Sequence, residues 1–316
     1  MICALATAAA ARGEEPRLET RVFTGERTAG RHMSTPVEAS APFSAVAVRW
    51  EGDGDPEAIR IRVRVSADAT TWTAWQDVAM SGDVPVPSGL VTFDAPARYA
   101  QYELVAPSAA AGARSVTLSF IDPGTAPPAE PRERFLALAV NAPQIVSRTA
   151  WGCPDRQTSP LWPPRSTTVT HAIVHHTATR SDATDWAAEV RSVWTWHTKS
   201  NGWGDIGYNY LVDPNGTIYE GRAGGPGIIG AHFSCMNHNT VGVALLGTYS
   251  TAKPTAAARA ALVRLLAWLA EQNRIDPKAV TFHGSSGLQL STISGHRDGN
   301  ISPNKCGGTT CPGDTL

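Results

Sequence analysis

The stretch Thr167 to His176 constrains the chain more than any other, because it is an apolar, β-branched run with too little polar alternation to keep one face in water. Such a strand belongs inside a sheet that is covered on both sides. Strand and helix patterns alternate after it, which predicts an α/β fold. Asp182 to Lys199 places Trp186, Val190, Val193 and His197 on one helical face, so His197 is expected in the core. Tyr208 to Asp213 and Thr217 to Glu220 predict a hairpin about Pro214-Asn215-Gly216. Thr240 to Leu246 predicts a further buried strand, and Thr255 to Asn273 an amphipathic helix capped by Thr255. Gly221 to Gly227 lacks the Lys-Ser/Thr ending of a phosphate loop and is expected to be a surface loop.

The amino-terminal half has a different pattern. Phe43 to Trp50 and Ile59 to Val65 alternate with period two, the second placing Arg60, Arg62 and Arg64 on one face. Further strands are expected at Trp72 to Val78, Leu90 to Phe93, Tyr99 to Val105 and Ser115 to Ile121, a spacing that predicts an all-β sandwich over residues 21–122. Trp72 and Trp75 could form a sugar-stacking platform; core packing is the reading favoured here. Residues 123–145 are led by a proline-rich stretch expected to be an extended spacer. With no candidate catalytic group before it, the β region is expected to be dispensable on a small soluble substrate. Residues 1–20 begin with an apolar and then Ala-rich run that resembles the end of a secretory signal, a truncated leader that would take Cys3 with it. A formal net charge of −1 without a Lys/Arg cluster gives no footprint for nucleic acid, and no apolar run is long enough to span a bilayer.

Gly295-His296-Arg297-Asp298, with Cys311 fifteen positions after its histidine, has the composition of half a metal site. Zinc takes imidazole and thiolate ligands, and a catalytic zinc keeps three of them and one open position. The third ligand is expected from the run that holds His171, His175 and His176, which residue pattern alone does not resolve. Cys153, Cys235 and Cys306 remain, enough for one disulfide and one buried thiol in an oxidising compartment, with the pairing open.

Several motifs carry a resemblance. They are Val174-His175-His176-Thr177, Gly202-Trp203-Gly204-Asp205-Ile206-Gly207-Tyr208-Asn209-Tyr210, Tyr219-Glu220-Gly221-Arg222, Gly230-Ala231-His232, Val241-Gly242-Val243, and Gly295 to Asp298 with Cys311-Pro312-Gly313. In this order they resemble the peptidoglycan recognition protein and type 2 N-acetylmuramoyl-L-alanine amidase family, over residues 146–316. The resemblance implies a mixed sheet flanked by helices, zinc held by His175, His296 and Cys311, and a secreted monomer that binds peptidoglycan or muramyl peptides. It implies cleavage of the amide between N-acetylmuramic acid and L-alanine, with Tyr208 and Thr309 as donors to the developing oxyanion. His176, His232 and Asn237 are expected to line the substrate groove. Packing remains the alternative for Tyr208 and Thr309, and loop structure for His232 and Asn237.

Two features depart from the family pattern. Gly299 to Cys306 lengthens the loop between His296 and Cys311, where most members have about eight residues between the two ligands; such insertions cost little entropy. The chain ends at Asp314-Thr315-Leu316, where members continue into a terminal helix. The β-rich half is similar in pattern to domains that precede such amidases in secreted bacterial proteins. A non-catalytic recognition module and a cysteine peptidase with Cys311 as nucleophile are the competing functions.

Overall fold

A computed structural model describes residues 13–27, 30–52, 59–80, 86–106, 113–126, 142–154, 165–304 and 307–316. The leader expected at the amino terminus, most of the proline-rich stretch and Cys306 lie largely or wholly outside these residues.

The amino-terminal region contains β1 (Arg17–Arg27), β2 (Gly30–Met33), β3 (Val37–Gly52), β4 (Arg60–Ser66), β5 (Gln76–Asp77), β6 (Ser88–Ala106) and β7 (Ala113–Asp122). It is sheet-rich as expected, but the strands pair as one continuous antiparallel sheet, β1-β7-β3-β6-β4-β5 with β2 also on β6, instead of two separate sheets. The two segments predicted at Leu90 and Tyr99 are halves of the single strand β6. Its first half pairs with β3 from Ala45 to Arg49, and its second half pairs with β4, with register shifts in β3 between Glu38 and Ala45. Such irregularities let a long strand turn a corner. One core results, with Val46, Val48, Trp50 and Val91 packed in the same cluster as Ile61, Val63, Tyr102 and Leu104.

The carboxy-terminal region contains β8 (Ile145–Val146), α1 (Arg148–Trp151), β9 (His171–His176), α2 (Trp186–Thr195), β10 (Tyr210–Val212), β11 (Ile218–Glu220), β12 (Thr240–Leu245), α3 (Ala256–Asn273), β13 (Val280–His283), β14 (Leu288–Ser291) and β15 (Ile293–Gly295). Six of these strands form the mixed sheet β15-β9-β12-β10-β11-β8, in which only β10 and β11 run antiparallel. Strand parity assigns the faces. Ala172, Val174, Val241 and Val243 pack with Ala261 and Leu265 of α3, whereas Leu211 and Leu246 pack toward Trp186, Val190 and Val193 of α2. Thr255 caps α3 through its hydroxyl, which accepts the Ala258 N–H at 3.0 Å. No helix among the described residues is long and apolar enough to cross a membrane.

The described parts of the two regions pack against each other. Ala45 and Ala47 of β3, Leu90 of β6 and Ile121 of β7 share a buried cluster with Trp186, Val190, Val193 and Trp194. Period-two alternation in β3 predicts one wet face. Its second face carries small residues because α2 lies against it. Arg191, 2 % exposed, donates to the carbonyls of Pro123 at 2.9 Å, Gly124 at 3.3 Å and Trp151 at 2.7 Å. Arg180 pairs with Asp94 at 2.8 Å across the same junction. Trp72 and Trp75 also depart from expectation. They are partly exposed, stacked on the arginine face of β4 with Arg64 4.9 Å and 4.7 Å from their ring centroids.

Candidate metal centre and groove

His175 occupies the fifth position of β9, on the parity of Ile173, away from α3. His296 begins a 3-10 turn directly after β15, which pairs beside β9. Cys311 comes from the chain beyond the lengthened loop. The ligand atoms of these three buried residues lie within 4.8 Å of one another. His175 Nδ1 stands 3.1 Å from His296 Nδ1 and 3.6 Å from Cys311 Sγ.

The structural role of the Gly-His-Arg-Asp run is visible in its contacts. Asp298 accepts the Gly295 N–H at 2.8 Å and closes the turn that carries His296. The Arg297 N–H donates to Cys311 O at 2.8 Å, and its guanidinium donates to Gly313 O at 2.7 Å, so the two ligand segments are tied together. Asn300 clamps the inserted loop as a backbone partner would, donating to Thr309 O at 2.8 Å and accepting the Thr309 N–H at 3.1 Å. The His176 N–H points at Cys311 Sγ from 3.4 Å, a contact that favours a thiolate.

His232 lies behind the ligands. Its Nδ1 is 3.0 Å from His175 Nε2, and its Nε2 is 3.3 Å from the Thr240 hydroxyl. It is 4 % exposed, so although it lines the groove its ring is engaged with a ligand. Glycine at 242 makes the space, since a Cβ there would stand 2.5 Å from the His232 ring. Asn237, expected in the groove, spends its carbonyl oxygen on the backbone N–H groups of His232 at 2.8 Å and Phe233 at 2.9 Å. It therefore braces its loop while also lining the groove.

Burial, reinforced by the neighbouring His296, holds His175 well below the ordinary imidazole range. Burial does the same to His232 and pushes His176 down to about 4. Neutral imidazoles beside a thiol with a backbone donor are the protonation states a zinc ion requires. The donor set therefore fits that metal.

A cleft of about 260 Å³ opens over the centre, lined among others by His176, Trp203, Tyr208, His232, Asn237 and Thr309. Tyr208 stands with its ring 5.2 Å from that of His175. The loop that holds it is fixed by groups which pattern reading left unassigned. His197, a core residue as expected, accepts the Gly207 N–H at 3.1 Å, and the Arg222 N–H donates to Tyr208 O at 2.8 Å. Asn209 accepts the Gly242 N–H at 2.9 Å. Asp205, fully buried, pairs with Arg148 at 3.0 Å and accepts the Ala223 N–H at 2.9 Å. Gly221, Arg222 and Ala223 are consequently buried, and only the later part of the glycine-rich run behaves as the surface loop expected. Their signal in the sequence is a charge of each sign, Asp205 and Arg222, inside Gly- and aromatic-rich motifs, and both prove buried. Thr309 lines the cleft while its hydroxyl accepts the Cys311 N–H at 3.0 Å. Cys235 is disulfide-bonded, and Cys153 and Cys311 are buried thiols, the Cys153 sulfur accepting from the Arg148 guanidinium at 2.9 Å.

Fold and site together define an α/β protein with a buried His-His-Cys cluster at the floor of a groove. Residues 165–314 match the family model described as N-acetylmuramoyl-L-alanine amidase. Peptidoglycan-recognition protein SC2 of Drosophila simulans is 30% identical over 184 residues, 58% of this chain and 87% of that one. Human N-acetylmuramoyl-L-alanine amidase is 35% identical over 130 residues, 40% of this chain and 22% of that one. The solved structure of Drosophila PGRP-LB aligns with a TM-score of 0.42 at 27% identity, covering 54% of this chain and 88% of that one. The chain belongs to the family of peptidoglycan recognition proteins and N-acetylmuramoyl-L-alanine amidases.

Proposed function

We propose that the protein is a secreted zinc amidase that cleaves the bond between N-acetylmuramic acid and L-alanine in peptidoglycan. The observation that carries this reading is the convergence of His175, His296 and Cys311 beneath a groove that also holds Tyr208. A zinc ion there would supply a Lewis acid and lower the pKa of a bound water toward ~7. His232 would hold the His175 ring in the orientation that presents Nδ1. The His176 N–H would keep the sulfur of Cys311 anionic. Tyr208 would donate its hydroxyl proton to the scissile carbonyl oxygen as that oxygen gains charge. Thr309 would be the weaker donor on the other side, its hydroxyl oxygen already accepting from Cys311.

Two competing readings remain, a recognition module and a cysteine peptidase. Recognition without hydrolysis fits the name of the fly relative, but a module that only binds has no need of three converging metal donors. A cysteine nucleophile needs one base and access to substrate; Cys311 is 7 % exposed and faces two imidazoles. Hydrolysis of a soluble muramyl peptide, followed as release of the free peptide amine, tests the reading. Activity that a chelator abolishes and added zinc restores is the expected result. Activity indifferent to the chelator would point to the peptidase, and binding without release to the recognition module.

A further inference from the structure

The groove is not built from the α/β region alone. Ala79 and Met80, which follow β5 in the amino-terminal sheet, line the same cleft as His176, Trp196, Trp203 and Tyr208. We propose that the β region is a fixed wall of the substrate groove, and that Met80 contacts the bound muramyl peptide on the apolar side lined by the tryptophans. This rests on the amidase-family reading of the cleft and adds a substrate contact from a region outside the family match.

Three observations hold the wall in place. The Val78 N–H donates to Ile61 O at 2.9 Å, which anchors the segment just before Met80 to β4. Gly89 of β6 lets that segment cross the sheet at close range: a Cβ there would stand 2.3 Å from Ala79 O and 2.6 Å from Val78 Cγ1. Met80 itself packs against the core of the β region. The sheet that carries it is in turn docked on α2 through Ala45, Ala47, Leu90 and Ile121, and the Ser88 hydroxyl donates to Asn201 Oδ1 at 3.2 Å beyond that helix. An apolar side chain set this way needs little ordering on binding, which is the condition under which a buried contact appears as affinity. Muramyl peptides offer it the lactyl and alanyl methyl groups that flank the scissile amide.

The test is a calorimetric titration of the full-length protein with a soluble muramyl peptide, in a Tyr208→Phe background so that the ligand survives. Met80→Ala should weaken binding about tenfold, the scale of a methionine side chain losing most of its apolar contact. Met80→Leu should restore most of the affinity, and Arg21→Ala, on exposed β1, should leave it unchanged. In the Tyr208-containing protein, Met80→Ala should raise KM with kcat nearly constant. Equal affinity of the Met80→Ala and parent proteins would overturn the wall and leave the amidase reading standing. Absence of binding by the parent protein would overturn the reading of the cleft and this inference with it.

Discussion

The two sheets of this molecule use polar residues in opposite ways. In the amino-terminal sheet the β4 arginines reach toward solvent from a cross-strand ladder: Arg64 donates to Gln101 at 2.6 Å, Arg60 to Asp77 at 2.6 Å, and Arg62 to the buried Glu103 at 2.8 Å. In the mixed sheet the polar side chains are turned inward, with His171, His175 and His176 all buried on one strand. The exposed Arg60–Asp77 pair shares its charges with water and contributes little to stability, whereas the buried Glu103 is satisfied by the guanidinium groups of Arg31 and Arg62. Buried imidazoles are costly unless their nitrogens have partners, and the partners here are other imidazoles, a thiol, two threonine hydroxyls and the Tyr249 N–H. Cost without structural return marks the mixed sheet as the working part.

The largest effect should come from the groove. Tyr208→Phe keeps the ring that packs near His175, so zinc content and fold should persist while kcat falls about 10²- to 10³-fold. Turnover near that of the parent would make Tyr208 a packing residue. Next in size is the residue behind the ligands: His232→Ala should lower zinc affinity about 10- to 100-fold, read by competition with a chromogenic chelator. Unchanged affinity would return His232 to the groove wall first expected of it.

Legibility followed the same division. Motif reading found His175, His296 and Cys311 because ligand chemistry and spacing are local to short runs, yet residue pattern alone did not choose between His175 and His176. Alternation found β3, β4 and β7 but not β1 and β2, placed β5 over a longer span than Gln76–Asp77, and read β6 as two strands, since a corner looks like a turn when only local spacing is visible. The docking of the two regions was not legible: Ala45 and Ala47 look like ordinary strand residues until α2 is known to lie on them. Nor was the position of His232 behind the ligands, because the space it needs is made by Gly242, ten positions away in β12.

Smaller effects sharpen the contrast at the junction and at the surface. Glu189 of α2 is buried against the β region, and Oε2 has no hydrogen-bond partner among the described residues. Burial pushes its carboxyl up to about 7. A carboxyl raised in the folded state binds more protons there than in the unfolded chain, so its contribution to stability falls as pH rises from the ordinary carboxylate range to about 7. Glu189→Gln should remove that slope and raise stability at pH 8 on the order of 2 kcal/mol, with little change at pH 5, as measured by denaturant unfolding at both pH values. An equal effect at both would separate the variant from titration. Thr309→Val should cost less than tenfold in kcat, by the weaker of the two proposed donors. Trp72→Ala, on the arginine ladder, should change stability by only about 0.5–1 kcal/mol and leave hydrolysis of a soluble substrate unaltered.

The central claim is that His175, His296 and Cys311 together hold one zinc on which cleavage depends. Metal content of the purified full-length protein, measured alongside hydrolysis for the parent and for His175→Ala, His296→Ala and Cys311→Ser, tests it most directly. The account predicts one zinc per chain in the parent, loss of both metal and activity in each of the three variants, and retention of zinc in His176→Ala. Full zinc occupancy in any of the three, or cleavage by a metal-free parent, would contradict it.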